Sequence, residues 1–354
     1  MNTGHEINPN DYDKIIVAFS GGKDSIAGFL HLINMGVDMR KVELWHHVID
    51  GREGSTLLDW PVTESYCRKF AAEFNVPLFF SWRVDGIEGE IRKENASTKG
   101  IRFESPVMLE SEDWVECGCK TQVQEAGGLR SKVSTRKMMP AKGEMNKQFC
   151  TGLGKIDVMR LALNHQERFV GKKILVITCE RAEESTKRAG YKVFESHTCS
   201  SGKKTVDVWR PVHGWSEKEV WAIIEQHLVN PHPCYKLGWG RCSCFGCIYS
   251  SKNAWASMAK IAPERLEKLA KVEDDIGHTI NVFKGKPISL RDYYKVETPA
   301  RGKRQGMKAG QPFAGTNDAE QVALSQSTEY SDSIRVTVWT LPSGAFSDDN
   351  SGAK

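Results

Sequence analysis

Residues 14–25 read Lys-Ile-Ile-Val-Ala-Phe-Ser-Gly-Gly-Lys-Asp-Ser, and this stretch decides the fold. Residues 14–19 form a short apolar, β-branched run that ends in a glycine turn. From Asp24 the apolar spacing becomes helical, through Ile26, Phe29, Leu30 and Ile33, and it stops near Gly36. A strand, a tight loop and a helix therefore follow one another directly. Gly21 and Gly22 let the backbone approach a phosphate closely and take positive φ. Their amides, with those of the first helical turn, point at an anion and add the positive end of the helix dipole. Ser20 and Ser25 supply hydroxyl donors, and Lys23 supplies a full charge. Asp24 would repel phosphate directly, so its roles are capping the helix or holding Mg²⁺ against a pyrophosphate.

Two other phosphate-binding patterns fail on the same residues. G-x-x-x-x-G-K-[ST] would need glycine at Val17 and Ser or Thr at Asp24, and a G-x-G-x-x-G fingerprint does not occur here.

Working outward, residues 42–49 read as a second strand, 63–74 as a helix and 77–82 as a third strand. Strands alternating with helices predict an α/β, Rossmann-like fold with a parallel sheet covered on both faces. From about 85 to 148 the sequence is polar and irregular, with Cys117-Gly-Cys119 in its middle, and it reads as a lid or insertion. Regular structure returns with a helix over 155–166, strands at 173–179 and 206–210, and a helix over 216–227. That last helix opens with the capping pattern Ser216-Glu-Lys-Glu219. More helical sequence covers 254–272. The expected organisation is a first core part (1–84), the lid (85–148), a second core part (149–233), a cysteine-rich metal module with helices (234–296), and a basic, mostly flexible tail (297–354). Within the tail, residues 334–341 have the composition for one strand.

A net charge of +4 does not by itself argue for nucleic acid. Its distribution says more. Arg130, Lys132, Arg136, Lys137, Lys142 and Lys147 face the single acid Glu144, and Arg301, Lys303, Arg304 and Lys308 form a second cluster. Such clusters suit a phosphate backbone, a polyphosphate or simply a solvated face. No apolar stretch approaches the ~20 residues of a membrane span, and the N-terminus lacks a secretory pattern, so a cytoplasmic location without membrane partners is expected.

In that setting ten cysteines are not a disulfide framework. Four crowd together as Cys234-x₇-Cys242-x-Cys244-x₂-Cys247, with glycines at 238, 240 and 246 for tight turns. Four thiolates suit a structural Zn²⁺ or a [4Fe–4S] cluster equally by count, and spacing does not separate them. Cys117 and Cys119 read as idle thiols or as redox or sulfur-carrying partners. Arg181 and Arg188, seven apart with Glu183 and Glu184 between them, are suited to clamp a polyphosphate or sulfate-like oxyanion, with Glu184 orienting them.

The Ser20–Ser25 string resembles the S-G-G-x-D-S signature of the PP-loop ATP pyrophosphatases. Three further strings resemble the PAPS-reductase-like branch of that superfamily. Phe149-Cys150-Thr151 with Leu153 and Lys155 resembles its C-T-x-x-L-K element. Residues 180–188, from Glu180 through Arg181, Glu184 and Ser185 to Arg188, resemble G-x-R-x-x-E-S-x-x-R, with Cys179-Glu180 replacing the usual Gly-Ile. Trp209-Arg-Pro-Val with Trp215, then Pro231-His-Pro233, Tyr235, Gly238, Arg241, Cys244 and Cys247, resembles a P-I-x-x-W…P-x-Y-x-x-G-x-x-R-x-x-C-x-x-C stretch. The resemblance covers roughly residues 14–250, weakly across the insertion.

What the resemblance implies is cleavage of ATP to AMP and pyrophosphate, with Mg²⁺, to activate an acceptor. It makes Lys23, Asp24, Arg181 and Arg188 catalytic candidates. Ser20, Gly21, Gly22, Lys23, Asp24, Ser25 and Glu184 become nucleotide-binding candidates, with Asp50 where this fold positions the adenosine. His46 and His47 are strand neighbours, so at most one of them faces the site. The branch includes the sulfonucleotide reductases and the DNA phosphorothioation subunit. Both use a [4Fe–4S] cluster, which favours iron over Zn²⁺ on Cys234, Cys242, Cys244 and Cys247, with Cys150 as an alternative ligand. The leading expectation is iron–sulfur-assisted sulfur transfer to nucleic acid, either DNA or tRNA, with a sulfur-donor protein such as a cysteine desulfurase as partner. A sulfonucleotide reductase is the alternative, although the E-C-G-[IL]-H string of that family does not occur here. A non-catalytic nucleotide-binding subunit is the third reading.

Overall fold

Strand β1 (Lys14–Ala18) runs through the middle of the main sheet. The computed structural model describes residues 7–107, 121–128, 133, 149–296 and 310–347. Ile15, Ile16 and Val17 are fully buried, as expected of a strand covered on both faces. The chain continues through α1 (Lys23–Asn34), β2 (Val42–Val48), α2 (Thr63–Glu73), β3 (Leu78–Arg83) and α3 (Gly86–Ile91). Then come β4 (Ile101–Pro106), β5 (Thr121–Ala126), a short α4 (Phe149–Thr151) running through a π turn at Gly152–Ile156 into α5 (Asp157–Asn164), and β6 (Lys173–Ile177). A 3₁₀ turn at Ala182–Glu184 precedes α6 (Thr186–Ala189), β7 (Phe194–Ser196), β8 (Thr205–Trp209) and α7 (Glu217–Gln226). The last part holds α8 (Pro233–Lys236), α9 (Lys252–Ile261), α10 (Pro263–Ile276), the hairpin β9 (Asn281–Phe283) and β10 (Lys286–Ile288), α11 (Leu290–Tyr293) and α12 (Ala319–Gln326).

The main sheet has the order β5-β4-β3-β2-β1-β6-β8-β7. Its five central strands, β3-β2-β1-β6-β8, are parallel, and β4, β5 and β7 are antiparallel additions at the edges. The chain first moves outward from β1 to β5 and later adds β6 on the other side of β1, so strand order reverses between β1 and β6. In such sheets the crevice beyond the carboxyl ends of the strands at that reversal is where ligands bind. The Ser20–Gly22 loop leaves β1 at this point.

Alternation along β1 assigns its side chains to two cores. Ile15 and Val17 pack on the face covered by α1, α2 and α7, with Phe29, Phe70 and Trp221. Ile16 packs on the other face with Trp45, Phe79 and the α5 residues Val158, Met159, Ala162 and Leu163. Phe70 also sits 4.7 Å from Phe19 and 5.3 Å from Phe29, ring to ring, which ties α2 and α1 to the start of the phosphate loop. Such pairs contribute about 0.5–1.5 kcal/mol each beyond burial.

Several expectations are corrected. Part of the stretch read as irregular is α3, β4 and β5. Ile101 and Phe103 face the core while Arg102 binds Glu125 across the strand pair, a short alternation that polar neighbours disguise. Residues 108–120, 129–132 and 134–148, including Cys117, Cys119 and the first basic cluster, lie outside the described residues. The helical stretch 254–272 is two helices, because Pro263 opens a new one at α10.

The tail is not mostly flexible over 310–347. Tyr330 and Ile334 are buried, Asn230 donates to the Tyr330 hydroxyl at 2.8 Å, and Trp339 Nε1 donates to the Val229 carbonyl at 2.8 Å. Its Gly344 amide reaches the Tyr235 carbonyl at 2.7 Å, so this segment straps the back of α8. The strand expected over 334–341 is instead a single bridge between Val229 and Arg335. Its second basic cluster lies outside the described residues. No helix among the described residues is long and apolar enough to cross a membrane.

Candidate nucleotide site and thiol cluster

The loop between β1 and α1 has the geometry its residue types require. Gly21 takes φ +74°, which L side chains rarely adopt, and a Cβ there would lie 3.1 Å from the Cys67 sulfur. Gly22 is the residue before α1, and a Cβ on it would come within 3.1 Å of Cys242 Cβ and 3.3 Å of the Tyr235 hydroxyl. The phosphate loop therefore rests directly on the cysteine module. Inside the loop, Ser25 Oγ donates to the Gly22 carbonyl at 2.8 Å, and the Gly22 amide donates to Ser20 Oγ at 3.3 Å.

Charge at this end of the sheet is arranged in a chain. Lys23 is buried, its ammonium donating to the Gly240 carbonyl at 2.8 Å and lying 3.5 Å from Glu217. Asp24 Oδ1 accepts from Arg181 Nε at 2.6 Å. Burial would push the Asp24 carboxyl up, but Lys23 and Arg181 more than offset that and hold it below the usual carboxylate range. Arg181 also donates to Glu183 at 2.6 Å and to the Trp215 carbonyl at 3.2 Å. Its guanidinium is thus built into the floor rather than aimed outward with Arg188, which revises its reading as half of a clamp. The pair that Glu184 holds is Arg188 and Arg241. Glu184 Oε2 engages Arg188 and Oε1 accepts from Arg241 at 2.6 Å, on a side chain only 6% exposed.

These groups border a cavity of about 560 Å³. Ser20, Gly22, Asp24 and Ser25 line it at the loop, Glu184, Arg188 and Arg241 at one wall, and Phe19, Trp45, Ile49, Ile87 and Met159 supply apolar surface. Lys155 lines it from the π turn after α4. Thr178, just past β6, lines it too, and its buried hydroxyl has no partner among the described residues. An unpaired buried hydroxyl costs about 1–3 kcal/mol, which a ligand's polar group would recover. A second cavity of about 430 Å³ opens on the other side of the charge chain, lined by Lys23, Arg181, Glu217, Arg241 and the tail residue Phe346.

Asp50 does not face the main cavity. Its carboxylate accepts from the Leu58 amide at 2.8 Å and the Asp59 amide at 2.9 Å, while Asp59 accepts from the Ile49 amide at 2.7 Å and the Asp50 amide at 3.1 Å. The reciprocal pair closes the loop after β2, and it is Asp59 that lines the cavity. Burial, with the Asp50 charge beside it, raises the Asp59 carboxyl to about 7. His46 and His47 both border the cavity, with His46 Nδ1 2.9 Å from the Phe19 carbonyl and His47 Nδ1 2.8 Å from Ser81 Oγ. Burial, helped by the charges of His46 and Lys155, lowers His47 to about 3, so it is neutral at working pH.

The four cysteines of the module divide. His232, Cys234 and Cys242 bring their ligand atoms within 4.8 Å of one another, the one metal-type group of that tightness among the described residues. A hydrogen bond from Cys234 and the neighbouring His232 hold the Cys242 thiol well below its ordinary range, against the effect of burial. Cys244 and Cys247 stand apart from that group, joined by a turn in which the Cys247 amide donates to the Cys244 carbonyl at 3.2 Å. Burial raises the Cys244 thiol, with Cys247 and Cys150 as charged neighbours. Cys150, Cys242, Cys244 and Cys247 all line the main cavity, and Cys234 does not. Of the expected set Cys234, Cys242, Cys244 and Cys247, the last three therefore share the cavity wall with Cys150, while the turn at Gly238, with φ +109°, carries Cys242 back onto α8 beside Cys234. The cavity thiols fit an iron–sulfur cluster by donor chemistry and by their common wall.

His232, Arg241, Lys155 and Tyr235 are functional candidates that residue-by-residue reading left without roles. All four stood inside recognised strings, His232 only as the residue between Pro231 and Pro233.

Comparison with known proteins agrees with this picture. Residues 119–253 match the phosphoadenosine phosphosulfate reductase domain family. An uncharacterized 37.8 kDa protein of Escherichia phage 186 is 25% identical over 275 residues, covering 73% of this chain and 74% of that protein. Adenosine 5'-phosphosulfate reductase of Allochromatium vinosum is 31% identical over 101 residues, covering 28% of this chain and 35% of that enzyme. The chain thus aligns with about a third of that reductase's length. Among solved structures, FMN adenylyltransferase of Candida glabrata, in complex with FMN and the ATP analog AMPCPP, aligns at 9% identity and TM-score 0.29, over 64% of this chain and 52% of that one. The family match and the reductase segment support a likeness to the PAPS-reductase-like branch of the PP-loop superfamily.

Proposed function

We propose that this chain is an ATP pyrophosphatase of PAPS-reductase-like type that activates an acceptor for sulfur transfer to nucleic acid. The observation that carries the reading is the Ser20–Ser25 loop at the sheet's reversal point, facing a cavity whose other wall carries Arg188 and Arg241 on one carboxylate. Loop amides and hydroxyls suit the phosphates, and the apolar surface of Trp45, Ile49 and Met159 suits a base. An acceptor oxygen attacks the α phosphorus, the bond to the β phosphate breaks, and pyrophosphate leaves. Arg188 and Arg241 neutralise its charge from the cavity wall while Lys23 adds its charge from behind the loop, and positioning with fixed charge supplies most of the catalysis in such transfers. Asp24 is the loop's acid that would hold Mg²⁺, and the ion would supply charge neutralisation at the phosphates. A sulfide-level nucleophile then displaces AMP from the adenylated acceptor, with no net redox change.

A cluster held by Cys150, Cys244 and Cys247 would bring bound sulfur to the same cavity. Lys155 lies on that wall, and its charge favours an anionic sulfur nucleophile there. The basic residues of 130–147 and 301–308 supply the charge that a polymer acceptor needs. The reading of a sulfonucleotide reductase is favoured by the reductase segment match and by the same oxyanion-binding arginines.

The discriminating experiment offers the anaerobic full chain ATP, DNA or tRNA and sulfide released from cysteine by a desulfurase with excess thiol reductant, and in parallel adenosine phosphosulfate with the same reductant. Sulfur incorporated into the hydrolysed polymer supports the proposal. Sulfite released from adenosine phosphosulfate, with no ATP-dependent product, replaces it with the reductase.

A further inference from the structure

We propose that His232, Cys234 and Cys242 form a mononuclear, zinc-type metal site whose ligand Cys242 stands on the cavity wall beside Cys150, Cys244 and Cys247, which are not its ligands. This does not depend on the reaction assigned above. The three ligand atoms lie within 4.8 Å of one another, and His232 and Cys234 are completely buried. Local structure builds the site. His232 precedes α8, Pro233 opens that helix, and the positive φ of Gly238 turns the chain so that Cys242 returns to the helix start.

The hydrogen bonds also fix the imidazole. A backbone N–H can only donate, so His232 Nδ1 accepts from the Cys234 amide at 3.2 Å. In the neutral ring the proton is therefore on Nε2, which donates to Thr63 Oγ1 at 3.1 Å. The Nδ1 lone pair that accepts this amide is the one an ion would take in its place, with Thr63 holding the ring through Nε2, the arrangement metal-binding histidines use. Tyr66 and Trp60 stand edge-on to the imidazole at 5.3 and 6.2 Å and screen it from water.

Two thiolates and one imidazole suit Zn²⁺, whose tetrahedral shell then has a fourth position for water or another group. An iron–sulfur cluster spreads its ligands over several metals, whereas these three lie within 4.8 Å of one another, close enough to share one ion. The site also bears on the phosphate loop. The Tyr235 hydroxyl accepts from the amides of both Lys23 and Cys242, at 2.8 and 3.2 Å, so an ion fixing Cys242 would fix the start of α1.

The test is zinc content and zinc X-ray absorption on the full chain purified with zinc supplied. The expected result is one zinc per chain with two sulfur neighbours at about 2.3 Å and nitrogen or oxygen at about 2.0 Å. His232→Ala and Cys234→Ser should each lose that zinc, and the double variant Cys244→Ser, Cys247→Ser should keep it. A four-sulfur shell, an absence of zinc, or zinc lost only with the Cys244 and Cys247 variant would overturn the proposal. Should the His232 or Cys234 variants fail to fold, the absorption spectrum of the unaltered chain still decides between two sulfurs and four.

Discussion

The Tyr235 hydroxyl lies 2.8 Å from the backbone nitrogen of Lys23 and accepts its hydrogen. These residues are 212 positions apart in the chain, and their contact joins the phosphate loop to the helix that starts the cysteine module. The amide of Cys242 shares the same oxygen at 3.2 Å. Loop and module are therefore one mechanical unit.

Tyr235→Phe removes the acceptor from two buried amides. Stability should fall by about 1–3 kcal/mol, read from denaturant unfolding. An unchanged midpoint would show that neither amide depends on the hydroxyl.

Glu184→Gln keeps the shape of the side chain but removes the charge that holds Arg188 and Arg241. Charged hydrogen bonds of this kind are worth about 1.5–3 kcal/mol, so KM for ATP should rise roughly tenfold to a hundredfold. The fold should survive, checked by the thermal midpoint. Normal KM in a folded variant would remove the arginine pair from nucleotide binding.

Cys244→Ser combined with Cys247→Ser should abolish visible cluster absorbance together with bound iron and sulfide after anaerobic reconstitution. Retention of both would show that the cavity thiols are not the ligands.

His47 supplies a pH signature. Its proton is bound more weakly in the folded chain, near 3, than in the unfolded one, near 6.5. Between those values the unfolded state holds more protons, so stability is full above about 6.5 and is lost as pH falls toward 3. His47→Gln should narrow the difference in thermal midpoint between about pH 7 and about pH 5. An equal difference in both proteins would show that His47 does not stay neutral on folding.

The tail segment 310–347 makes a prediction opposite to that for a loose arm. Tyr330 is 1% exposed and stands 5.0 Å from the Tyr66 ring. Tyr330→Ala should cost about 3–5 kcal/mol, measured by denaturant unfolding. A loss near zero would show that the segment does not hold α8 and α2 together.

The first strand, the loop and α1 were legible because glycine placement and a switch from β to helical spacing all fall within twenty-odd residues. The parallel sheet followed from alternating elements, but the strand order that makes the crevice did not. What stayed hidden was long-range pairing. Arg241 meets Glu184 across 57 positions, and nothing local to either names the other. Asp50 looked like a ligand residue because it ends a central strand, yet two backbone amides consume its oxygens. Tyr330 and Trp339 sit in polar sequence without periodicity, so their burial against residues 229–230 could not be read from composition. His232 joined Cys242 only through the turn at Gly238.

The central claim is cleavage between the α and β phosphates of ATP at the Ser20–Ser25 loop. Its most direct measurement is anaerobic incubation of α-labelled ATP and Mg²⁺ with the full chain and with Lys23→Ala, in the presence of DNA or tRNA, separating AMP from ADP. AMP is expected from the unaltered chain and almost none from Lys23→Ala. ADP as the product, or equal AMP from both proteins, would contradict it.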